Sequence, residues 1–239
     1  MIAIYKKEIR SFFNTAEGYL SISVFFIINA LILWFIPSEY NITYNYQASL
    51  LPFFLVTPWI LLLLIPSITM KMISAESLEK TTIILFTKPI EKWSIINSKF
   101  LASITISILS ILPSFIFIYS IYELSEPRGN IDWGELIGSY IGLVMLISTY
   151  SSIGIFGSTL SKNTMVSFIL TILIILFFLI GLNELGNSYN SEILQNMSIT
   201  HHYEAMRRGV VDSRSVIYFI SIIMLFLSLS VFVIKEYKT

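Results

Sequence analysis

The sequence has no cysteine and only two histidines, and just 13% of its 239 residues are Asp, Glu, Lys or Arg. Without thiols there are no disulfide staples and no thiolate catalysis, and the redox compartment stays open. Soluble domains carry about 25% charged residues; a 27.4 kDa chain with half that share is too poor in charge to stay dispersed. Fifteen basic residues balance fifteen acidic ones, so there is no basic footprint for nucleic acid. A phosphate-binding loop is missing too. It requires Gly-x-x-x-x-Gly-Lys before Ser or Thr, and none of the ten glycines is followed by Lys. No catalytic, cofactor-binding or metal-ligating residues are expected, and the chain is not expected to be an enzyme.

What is present is apolar length. Six runs, Tyr19–Ile36, Phe53–Met70, Leu101–Tyr122, Leu136–Leu160, Val166–Leu182 and Val216–Ile234, measure 18, 18, 22, 25, 17 and 19 residues. A helix needs about 17–25 such residues to cross the hydrocarbon core. The expected fold is an all-α membrane protein of six transmembrane helices, with residues 1–239 as one membrane domain. The first run is too long for a signal-peptide core and has no small-residue cleavage site after it, so it reads as a retained span.

Six spans place both termini on one side. That side holds eleven of the fifteen Lys and Arg residues: Lys6, Lys7 and Arg10, then Lys71, Lys80, Lys88, Lys92 and Lys99, then Lys162, Lys235 and Lys238. Arg128, Arg207, Arg208 and Arg214 fall on the other. The positive-inside rule therefore predicts cytoplasmic termini. External segments are expected at 37–52, 123–135 and 183–215, internal ones at 71–100 and 161–165.

No Asp, Glu, Lys, Arg or His lies within the six runs. This argues against a proton-coupled carrier or a voltage sensor, which need intramembrane charge. His201 and His202 are adjacent and outside the runs, so axial cofactor ligation is not expected. The fourth run carries Gly138, Gly142, Ser151, Ser152, Gly154, Gly157 and Ser158. Small residues at helical spacing let backbones approach closely and predict a central packing helix. Pro58 and Pro66 interrupt the hydrogen-bond ladder of the second run.

Three segments outside the runs have specific content. In 1–17, Ile2, Tyr5, Ile9, Phe12 and Phe13 share one arc beside Lys6, Lys7 and Arg10, which predicts an interfacial elbow helix turning into the first span at about Gly18. Residues 71–100 form the largest charged cytoplasmic segment, read as helix, break, helix around Lys88-Pro89. Its Glu76, Glu79, Lys80, Lys88, Pro89 and Trp93 are candidates for docking a cytoplasmic partner. In 198–221, Glu204 and Arg208 stand at i, i+4, Gly209 is a helix stop, and Asp212 is a cap for the following helix.

At these segments the chain resembles the type 2 ABC transporter permeases, and among them the gliding-motility-associated (GldF-like) permease subunits of Bacteroidetes. Lys7-Glu8-Ile9-Arg10-Ser11-Phe12-Phe13 resembles their elbow helix, and Pro58-Trp59 with the stretch from Leu64 to Lys71 their second span. Thr87-Lys88-Pro89, Trp93 and Lys99-Phe100-Leu101-Ala102 resemble the coupling region. There Ala75-Glu76 replaces a double Glu, Lys80 a glycine and Ile83 an acid. The most specific likeness is the external motif of His202, Tyr203, Glu204, Arg208, Gly209, Val210, Asp212, Arg214, Val216 and Tyr218.

The resemblance implies a permease subunit in the bacterial inner membrane. It would move an unspecified substrate with a separate cytoplasmic ATPase that binds ATP and magnesium, beside a second permease-like subunit or another copy of itself. The lipid bilayer is the remaining partner and nucleic acid is not one. A non-transporting anchor of a motility or secretion machine, or an ATP-independent channel or carrier, are the alternatives.

Overall fold

The computed structural model describes residues 1–44, 49–78 and 91–236, with side chains to 234. Every regular element among them is helical. Chain order gives α1 (Ile2–Phe13), α2 (Ala16–Ala30), α3 (Leu51–Leu78), α4 (Lys92–Ile111), α5 (Phe115–Leu124), α6 (Trp133–Leu160), α7 (Thr164–Leu176), α8 (Leu182–Ser188), α9 (Glu192–Asn196), α10 (Ile199–Arg207) and α11 (Ser213–Glu236). Short π-helical segments extend α2 to Phe35 and join α7 to α8, and a 3₁₀ turn at Leu112–Ser114 joins α4 to α5 around Pro113.

Six stretches are long and apolar enough to cross a membrane: Ala16–Phe35, Leu51–Leu78, Lys92–Leu124, Trp133–Leu160, Thr164–Ser188 and Ser213–Ile234. Each overlaps one expected span, and two run well past it. The second continues eight residues beyond Met70, and the third begins nine residues before Leu101. Much of the expected internal loop 71–100 is therefore the outer turns of two spanning helices. Helix geometry explains it: Leu51–Leu78 at about 1.5 Å per residue is roughly 42 Å long, against about 30 Å of hydrocarbon. Glu79, Lys80, Lys88 and Pro89, with the expected break, lie outside the described residues.

Helices α3 and α6 form the buried centre, and α2 and α7 are peripheral. The small residues of α6 account for its place. A Cβ on Gly154 would stand 2.3 Å from Thr69 Oγ1 of α3, and one on Gly157 would stand 2.1 Å from Thr171 Oγ1 of α7. Hydroxyls then bond across the close contacts: Ser103 to Ser151 at 3.0 Å, and Thr57 of α3 to Asn29 of α2 at 3.3 Å. The outer surface is apolar, with Leu20, Ile27 and Phe35 exposed on the first span and Met165, Ile169 and Leu173 on α7. Lipid, not water, suits such a surface.

Candidate functional site

The end of the bundle that carries the chain termini holds a charge network assembled from three helices. It starts with α1. The buried face of that helix comprises Ile4 and Glu8, flanked by half-buried Tyr5, Ile9, Phe12 and Phe13. Ile2, expected on this face, is 70% exposed, and Lys6 and Arg10 are exposed as well. Tyr5 meets Thr105 of α4 through their hydroxyls at 3.0 Å. The chain turns at Asn14–Thr15. At Gly18, a Cβ would lie 2.3 Å from the Phe12 carbonyl oxygen, so the first turn of α2 sits directly on the end of α1.

Glu8 faces inward because its partner is buried. Lys99 of α4 has a side chain only 1% exposed. Its ammonium donates to Glu8 Oε1 at 2.8 Å and to the Met72 carbonyl of α3, and lies 2.9 Å from Glu76 Oε2. Three acceptors match the three N–H groups of an ammonium. Lys7 closes the network by donating to Glu76 Oε1 at 2.5 Å. Among the described residues, two lysines and two glutamates thus tie α1, α3 and α4 together around the buried Lys99 ammonium. Glu76 was expected to face a partner. The structure turns its carboxylate inward instead, leaving a side chain 14% exposed.

Two other contacts strengthen this end. Ser158 of α6 accepts from the N–H groups of Ile73 and Ser74 at 3.0 and 3.1 Å and donates to the Met70 carbonyl at 3.2 Å, which fastens the outer turns of α3 to the central helix. Lys92 donates to the Ile234 carbonyl at 3.5 Å, joining the start of α4 to the end of α11. At the rim, Leu78 and Trp93 are 65% and 39% exposed. Lys71 and Glu17 pair at the surface.

The opposite end is a clasp. Helix α10 buries Ile199, Tyr203 and Met206. The Tyr203 hydroxyl donates to the Phe54 carbonyl of α3 at 2.8 Å, and Ser139 of α6 donates to the Arg207 carbonyl at 2.8 Å. The chain leaves α10 through Gly209 at φ 81°, and a Cβ on Gly138 would come within 2.6 Å of the Gly209 Cα. His202 stacks on Tyr218 at 4.0 Å between ring centroids. Its Nε2 lies 2.8 Å from the Asn196 carbonyl and its Nδ1 3.0 Å from Ser215 Oγ. A carbonyl only accepts, so Nε2 carries the proton and Nδ1 accepts from Ser215. Burial lowers the His202 pKa, opposed by the Asn196 bond. Tyr203 is held protonated by burial.

Of the motif residues, His202, Gly209 and Asp212 are built into this clasp, Asp212 accepting from the Arg214 N–H at 3.1 Å at the start of α11. Glu204, Arg208 and Arg214 are exposed. The expected Glu204–Arg208 pair is not among the ion pairs of the described residues. Instead, α10 is held by its buried Tyr203 and Met206, so a surface pair worth a few tenths of a kcal/mol is not needed.

Glu8 and Lys99 match the family likeness in sequence, but their pairing across α1 and α4 is not expected from it. A signal was there. Glu8 falls within the apolar arc of Tyr5, Ile9 and Phe12 at i+3 and i−4 spacing, and Lys99 stands between Ile96 and Ala102 at the same kind of spacing. A lone charge on an apolar face needs a partner.

Six membrane-length helices with exposed apolar flanks around a buried apolar core define a polytopic membrane protein of the α-helical class. The chain belongs to the ABC-2 family of transporter proteins, whose family model matches residues 2–235. That family supplies the membrane subunit, not the ATPase. No curated protein matches the sequence.

Proposed function

We propose that the chain is the permease subunit of an ABC transporter, driven by a separate cytoplasmic ATPase that binds the ATP and magnesium. The observation that carries this reading is the outer end of α3. It runs at least eight residues past the apolar stretch, exposes Leu78, as α4 exposes Trp93, and is locked through Glu76 to Lys99 and α1. A push on this tip reaches three helices at once, and Ser158 passes it on to α6. Such a rigid lever lets a partner bias two arrangements of the bundle through differential contacts.

The eleven basic residues in the sequence segments expected on the side of the termini support a cytoplasmic orientation of both termini in a bacterial inner membrane, with α1 as the elbow helix at the headgroup level. The exposed apolar flanks of α2 and α7 suit a second membrane subunit or another copy. The GldF-like residues, above all the His202–Tyr218 segment, support a place in a gliding-motility-associated complex. Orientation is the condition on which an ATPase can reach the lever. Cysteine at Leu78 is expected to resist an impermeant thiol reagent in intact cells, and cysteine at Ser188 to react. Labelling at position 78 would put the lever on the wrong side of the membrane for any ATPase.

A further inference from the structure

A cleft of about 600 Å³ opens between α1, α2 and α3, beside the charge network, whose Lys7, Glu8 and Glu76 are among its lining residues. Its volume falls in the range of small-molecule sites, about 300–1,000 Å³. One wall is apolar, with Phe12, Leu20 and Ile68; the other carries the Glu17–Lys71 ion pair. The cleft lies where the apolar run of α2 begins and that of α3 ends, the position that headgroups take when such runs span a bilayer. Leu20, 64% exposed, continues the apolar wall toward the bilayer.

The chemistry of this lining selects one kind of occupant. The side chains of Glu17 and Lys71 are 68% and 49% exposed, and an exposed pair of this type is worth only about 0–1 kcal/mol. A ligand bearing both signs can replace it, its phosphate on Lys71 and its ammonium on Glu17, leaving every charge paired. A purely anionic headgroup on Lys71 would leave Glu17 without its cation beside a second negative charge, and one on Lys7 would compete with Glu76 for that lysine. The apolar wall requires acyl chains as well. We propose that this cleft binds a zwitterionic phospholipid of the phosphatidylethanolamine class from the adjoining leaflet. The inference needs only that the chain sits in a bilayer, and is independent of any ATPase.

The test is native mass spectrometry of the full chain released from nanodiscs of equal phosphatidylethanolamine and phosphatidylglycerol. Wild type is expected to retain one phosphatidylethanolamine per chain, preferred about tenfold over phosphatidylglycerol, the size of one charge-assisted contact. Two variants separate charge from space: Glu17→Gln with Lys71→Gln removes the ion pair, and Ser21→Trp fills the cleft from α2. Both are expected to lose the retained lipid about tenfold while melting like wild type. Retention by both variants, or equal retention of the two lipids by wild type, would overturn the proposal. Soluble phosphoethanolamine is expected not to displace the lipid; displacement would reassign the cleft to a water-soluble zwitterion and overturn it equally.

Discussion

Lys99→Met is expected to release α1 from the bundle. The substitution keeps the length of the side chain and removes its charge, so Glu8 and Glu76 lose the cation buried between them, only 1% exposed, and keep Lys7, whose side chain is 58% exposed. Breaking a buried ion pair by removing one partner costs about 3–5 kcal/mol, because the surviving charge has lost its compensation. The cost should appear locally. A cysteine at Ile4, which is buried against the bundle, should react slowly with a thiol reagent in the wild-type background and readily in Lys99→Met. Adding Glu8→Gln and Glu76→Gln should recover most of the docking, since replacing a whole buried charge cluster is often neutral. Lys6→Met, on the exposed side of the same helix, is the control. If the cysteine at position 4 reacts no faster in Lys99→Met than in Lys6→Met, the network does not hold α1.

Gly138→Val is expected to be the most damaging change at the opposite end. The atom that a Cβ would meet at 2.6 Å is the Cα of Gly209, and the carbonyl carbon and oxygen of Gly209 follow at 3.0 and 3.1 Å. Backbone cannot swing aside as a long side chain can. Gly209 is itself held at φ 81°, so its own adjustment is restricted. Overpacking costs about 1–3 kcal/mol, and this contact belongs at the top of that range. Its consequence is loss of the α6–α10 clasp, read as faster proteolysis between α8 and α10 and a lower thermal midpoint. Gly134→Ala, whose Cβ would meet only Asp132 Oδ1 at 3.3 Å, should change neither. Equal behaviour of the two variants would mean that α10 does not depend on close backbone approach to α6.

The six spans were legible because apolar run length is a strong signal and lipid allows few alternatives to helix. The packing role of α6 was legible from Gly138, Gly142, Gly154 and Gly157, since small residues at that spacing have little other use within a span. The ends of α3 and α4 were not. Polar residues such as Lys71 and Ser74 mark the edge of hydrocarbon, and nothing in their composition says that the helix continues; tertiary contacts, here Ser158 and Lys99, decide it. The inward turn of Glu76 escaped for a related reason. A glutamate near two lysines reads the same way in a solvated loop as in a buried network, and only the approach of α1 from 69 residues earlier in the chain separates them. At the far end Gly209 and Asp212 showed their roles through local backbone chemistry, whereas the lock on His202 needs Asn196, Ser215 and Tyr218 from both sides.

If an ATPase drives this bundle from the outer end of α3, a photo-cross-linking amino acid placed at Leu78 in cells will capture it, with Tyr189, 75% exposed at the opposite end, as the comparison site. Products are identified by mass spectrometry. The account predicts that position 78 captures a protein bearing a Gly-x-x-x-x-Gly-Lys phosphate loop, that the captured pair hydrolyses ATP, and that position 189 captures no such protein. Capture of that ATPase at 189 and not at 78, or of none at either position, would contradict it.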